Sequence, residues 1–150
     1  MSGHLSVPAR VRRFLLPALA AVTVAAALVP SAASASSLGY SVWGGFGVNV
    51  GGQHVGIPQG YETHSIRGSG QWVSSDYVSF LDAGTLCDPA VKFVYGYGSE
   101  VVSGGIHYGC LHFSQWTGLV NAWAPRGTAC AQLYADDWRV FVTQQCAFVQ

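Results

Sequence analysis

The chain has 150 residues, seven Lys and Arg against seven Asp and Glu, and is 50% hydrophobic but only 9% charged. That balance provides no basic stripe to follow a phosphate backbone, which excludes nucleic acid and anionic membrane surfaces as partners. Low charge with 13% aromatic residues also excludes a disordered chain and predicts a packed core.

The first segment reads as a leader. "MSGHLSVPARVRR" carries Arg10, Arg12 and Arg13, the apolar run "FLLPALAAVTVAAALV" follows, and "PSAASAS" offers small residues at Ala33 and Ala35. This order predicts a secretory signal peptide over 1–35, cut after Ala35. The apolar run is shorter than the roughly 20 residues of a spanning helix and contains Pro17. The Arg12-Arg13 pair permits a twin-arginine route, but Phe14 follows it directly and the general route is preferred. Without the leader, four bases (Arg67, Lys92, Arg126, Arg139) face seven acids, a net charge of −3. A secreted chain over 36–150 then forms one domain, with no membrane contact after cleavage.

No window beyond the leader shows a helical apolar stripe. Short β-branched and aromatic runs bounded by turn residues predict strands at 40–43, 47–50, 64–67, 71–80, 91–97, 100–102, 105–113, 131–134 and 138–143. "GGFGVNVGG" is left without regular structure beyond 47–50, and "AGTLCDPA" and "NAWAPRGTAC" read as loops. The fold class is all-β: a small antiparallel sandwich or barrel built from hairpins, with two disulfides.

Two hairpins carry the cysteine argument. A two-residue turn at Gly98-Ser99 sets Tyr95 against Val102, Phe93 against Gly104 and Val91 against Ile106, gathering an apolar face. The same register sets Cys87 against Cys110. A second turn at Asp136-Asp137 puts Ala131, Leu133, Ala135, Trp138, Val140 and Val142 on one face. It opposes Cys130 to Thr143, so a bulge near Gln144-Gln145 or an irregular chain at Cys130 is needed to reach Cys146. Four cysteines allow three pairings, and Cys87–Cys110 leaves Cys130–Cys146. An export signal with an even cysteine count favours disulfides over metal thiolates.

The chemical groups form no recognised motif. His107 and His112 are five apart and lack the spacing of a helical zinc pair, so neither a metal site nor a cofactor is expected. "RGSGQ" around Ser69 is not a nucleophile elbow. Glu62, Asp76, Asp82 and Glu100 are carboxylates without a spacing that pairs them. A hydrolase requires His64, His107 or His112 to reach both a serine and an aspartate. The aromatics are the more informative group. Trp72 and Trp138 lie within alternating runs and read as core. Trp116 and Trp123 flank "TGLVNA" outside a clear strand, and "SQWTGLVNAWAPR" is the candidate binding loop.

The phrases "IPQGYETHSIRGSG", "LC", "HYGC", "GTACAQL" and "QC" make residues 56–148 resemble a group of uncharacterised small secreted two-disulfide proteins of high-GC Gram-positive bacteria. The resemblance implies a compact extracellular β domain and no activity, substrate or site residue. The leading expectation is a non-catalytic extracellular binding module contacting a cell-wall glycan or another secreted protein. Its alternatives are a secreted inhibitor or antagonistic protein, and a small hydrolase.

Overall fold

Alternating side chains build two antiparallel sheets in the computed structural model, which describes residues 36–150. The leader expected at 1–35 lies outside the described residues. The strands are β1 (Ser37–Trp43), β2 (Phe46–Val50), β3 (Gln53–Ile57), β4 (Gly60–Ser69), β5 (Trp72–Cys87), β6 (Ala90–Tyr95), β7 (Glu100–Ile106), β8 (Cys110–Thr117), β9 (Ala122–Trp123), β10 (Gly127–Ala135) and β11 (Val140–Val149). The first sheet has the order β1-β4-β5-β8, with β9 also pairing β5, and the second has the order β11-β10-β6-β7. The β2–β3 hairpin stands apart as a two-stranded ribbon. Ile66, Val78 and Phe80 from the first sheet and Val91, Phe93 and Leu133 from the second fill the core. Among the described residues no helix is long and apolar enough to cross a membrane.

The cysteines pair as Cys87–Cys110 and Cys130–Cys146, each joining residues directly opposite on neighbouring strands. The first bridge is not the foot of a single hairpin. The chain leaves the first sheet at Cys87, builds β6–β7 in the second, and re-enters the first at Cys110. Beside the bridge, Asp88 and Gly109 are tied by Asp88 N–H to Gly109 O at 2.8 Å and by Gly109 N–H to Asp88 Oδ1 at 2.7 Å. The staple therefore closes the excursion into the second sheet.

Both hairpin registers differ from expectation. Tyr95 pairs with Glu100 and Phe93 with Val102, because the reversal runs through Gly96–Ser99 instead of two residues. A shift of two residues preserves parity, so Val91, Phe93 and Tyr95 still face the core. A bulge between Val91 and Lys92 then moves the ladder one step towards the cysteine pairing. In the second hairpin the turn holds Asp136, Asp137 and Trp138 at φ of 51°, 53° and 69°. Trp138 thus leaves the expected core face; its ring packs on Tyr134 at 5.5 Å, with Lys92 Nζ 5.0 Å above it. The bulge that brings Cys130 opposite Cys146 falls at Leu133/Tyr134, nearer the turn than Gln144-Gln145.

Several boundaries also move. The run 105–113 is broken at His107–Gly109, where Gly109 takes φ 101°. "AGTLC" continues β5, and "GTAC" opens β10, where loops were expected. β3 and β9 lie outside the expected runs.

Candidate functional site

The inner face of the first sheet is unusually polar. Alternation turns Glu62, His64 and Ile66 of β4 inward, and Asp76, Val78, Phe80 and Asp82 of β5 with them. His64 Nε2 is hydrogen-bonded to Asp76 Oδ1 at 2.7 Å, and its Nδ1–H donates to the backbone oxygen of Gln145 on β11 at 3.1 Å. The Gln145 carbonyl can only accept, so Nδ1 carries a proton, and the Asp76 carboxyl satisfies the other ring nitrogen. The Tyr95 hydroxyl from the second sheet donates to Asp76 Oδ2 and accepts the Leu119 N–H at 3.1 Å. Burial, then the neighbouring Asp76, push the Tyr95 phenol up and keep it neutral. Gly118 is required at this point: a Cβ there would stand 2.6 Å from the Tyr95 oxygen and 2.9 Å from Asp76 Oδ2. This network ties the two sheets together and is closed to solvent.

Two further inward carboxyls lack such partners. Both oxygens of Glu62 are buried without a hydrogen bond, and burial pushes its carboxyl up from 4.5 to about 9. Asp82 sits where the β5–β8 ladder opens between Leu81 and Leu86. Burial raises its carboxyl, while the Gly84 backbone N–H and the His112 ring, 4.0 Å away, pull it back.

These placements bear on the catalytic candidates. His64 reaches Asp76 but is bonded to no serine. His107 bonds Ser114 through Nδ1 and stacks on Trp116 at 4.6 Å, without a carboxylate partner. His112 lies against Asp82. Among the described residues none of the three joins a serine to an aspartate, and no group of three or more His, Cys, Asp or Glu is disposed to hold a metal. Glu62, Asp76 and Asp82 face the core, and Glu100 is half-buried on β7.

The structure separates the two candidate tryptophans. Trp116 belongs to β8 and points inward, 3% exposed, stacked between His107 and Phe80. Strand alternation puts its indole in the core, so it offers no surface to a ligand. Trp123, 69% exposed, lies on β9 and packs edge-on against Trp72 at 5.6 Å. Trp72 is itself exposed, not core, because a bulge opposite Arg67 resets the alternation of β5.

Trp72 and Trp123 are one end of a larger surface. The cross-strand row Val42–Tyr61–Leu81–Phe113 crosses the outer face of all four strands, and every member is exposed. Next come Tyr40–Thr63–Ser79–Gln115, then Leu38–Ser65–Tyr77–Thr117. The Thr63 and Ser79 hydroxyls lie 2.8 Å apart, and the Tyr77 hydroxyl donates to Gln115. Arg67 is the one charged side chain on this face among the described residues, and no carboxylate joins it. At the Val42 end a groove of about 460 Å³ is lined by Val42, Trp43, Gln59, Tyr61, Leu81 and Asp82. Trp43 is fixed there by donating its Nε1–H to Pro58 O at 2.6 Å.

The sequence signal for this face was an inversion that cannot be oriented without the partner sheet. On β1, Leu38, Tyr40 and Val42 are 76%, 73% and 69% exposed, while Gly39, Ser41 and Trp43 turn inward. Fold and site together define a two-disulfide antiparallel sandwich with one aromatic sheet face, charged only at Arg67, open to solvent. No family model, no curated protein and no solved structure matches the chain.

Proposed function

We propose that the chain is a non-catalytic extracellular binding module whose contact surface is the outer face of the first sheet. The observation that carries this reading is the inverted pattern of β1 and β4. Burying a side chain the size of Leu, Val or Phe stabilises a fold by about 1.5–3 kcal/mol. Leaving Leu38, Tyr40 and Val42 in water while Glu62 and His64 occupy the core runs against that preference. Contiguous exposed apolar surface of this kind marks interaction sites, and departures from local pattern concentrate at functional places. The two disulfides suit an oxidising compartment, and the leader read in the sequence supplies a route to it.

The test is retention of the natively oxidised protein on isolated bacterial envelope material. Tyr40→Ser/Tyr61→Ser/Trp123→Ser is expected to weaken retention by about tenfold or more, since each exposed anchor lost is worth on the order of 1 kcal/mol. Val101→Ser/Phe141→Ser, on exposed positions of the second sheet, is expected to leave it unchanged. Equal loss in both variants, or in neither, contradicts the reading.

A further inference from the structure

We infer that the partner of this face is a neutral polysaccharide chain lying along the first sheet; the inference rests on the binding-module reading above. Three observations converge. The first is charge: a face with one arginine at its margin and no carboxylate matches an uncharged ligand and offers an ionic partner almost nothing to pair with. The second is the layout. Protein interfaces bury an apolar centre inside a polar rim. Here the middle rows interleave the polar Thr63, Ser65, Ser79 and Gln115 with Leu38 and the rings of Tyr40 and Tyr77, and aromatic rings also stand at both ends. That is the complement of a polyhydroxylated chain, whose hydroxyls bond the centre and whose C–H faces rest on Tyr61 and Trp123. The third is length. Leu81 and Trp72 mark the two ends on β5, on the order of 25–30 Å apart at the rise of a strand. One sugar ring cannot span that distance, whereas a polymer can.

The groove at the Val42 end adds a separate indication. It is lined by Trp43, Tyr61 and Asp82, whose buried carboxyl oxygens face the Gly84 backbone N–H and the His112 ring 4.0 Å away. A terminal ring seated between Trp43 and Tyr61 rests its C–H face on their side chains, as the chain does on Trp123 at the far end.

The experiment measures retention of the full oxidised chain on microcrystalline cellulose, chitin and mannan, with peptidoglycan sacculi as the anionic comparison and sedimentation equilibrium for self-association. The expected result is retention on at least one neutral polymer, weakened about tenfold by Tyr61→Ala and by Trp123→Ala. Unchanged thermal midpoints show that these exposed positions were altered without unfolding. A hexasaccharide of the retained polymer is expected to compete about tenfold better than its disaccharide, because more of the face is covered. Retention on sacculi alone, or self-association lost in the same variants, overturns the polysaccharide inference and leaves the binding face standing. Retention that ignores both substitutions, or none on any material together with a monomer in solution, overturns both.

Discussion

Asp76→Ala is expected to lower the unfolding free energy by about 3–5 kcal/mol, the cost of leaving two buried hydrogen-bonding groups without their shared partner. Asp76 accepts from His64 on one oxygen and from Tyr95 on the other. Its loss strands a buried imidazole and a buried phenol at once, and neither can reach water without opening the sandwich. Urea unfolding at neutral pH with both disulfides intact measures the change. The cost belongs mainly to the stranded partners, so His64→Leu/Asp76→Leu is expected to recover much of it by removing both polar ends. A loss within 1 kcal/mol for Asp76→Ala would show that the network does not hold the two sheets together.

The second large effect is pH-dependent and centres on Glu62. Its carboxyl ionises near 4.5 when solvated and near 9 in the fold. Below about 4.5 it is protonated in both states and imposes no pH-dependent penalty. Between the two values the unfolded chain releases a proton that the folded chain keeps, so stability falls as pH rises, and the penalty levels off above about 9. At pH 8 the accumulated loss is a few kcal/mol. The groups around Glu62 do not relieve it: Ser41 and Phe80 are its cross-strand neighbours, and His64, next inward on β4, is bonded to Asp76 and Gln145. Glu62→Gln is therefore expected to match the parent at about pH 4 and to be more stable by roughly 2–4 kcal/mol at about pH 8. Parallel stability curves for parent and variant across that range would contradict the assignment.

Much of the fold was legible because strand parity survives register errors that come in twos. Val91, Phe93 and Tyr95 were placed inward from a turn whose length was wrong by two residues. Cys87 and Cys110 were matched although they sit in a different sheet from the hairpin between them. Trp138 was misplaced because nothing in its alternating neighbourhood announces three consecutive residues at positive φ. The face itself was harder to see. In "GYETHSIR" and "SLGYSVW" the polar and apolar sets alternate cleanly, and a strand read alone points its apolar set at the core. Only the second sheet, closing over Ser41, Glu62 and His64, shows that the aromatics remain outside. Trp123 is exposed, as its loop position suggests, whereas Trp116, the seventh residue of the strand that begins at Cys110, shares the inward face with Ser114.

Backbone amide chemical shifts of the isotopically labelled protein, recorded with and without a retained oligosaccharide or other binding partner, test the contact surface most directly. Changes are expected to cluster on β1, β4, β5 and β8 around Tyr40, Tyr61 and Tyr77, extending to Trp123, with β6, β10 and β11 unmoved. Changes confined to the second sheet, or to the β2–β3 hairpin, would contradict the assignment of the outer face as the place where this protein binds.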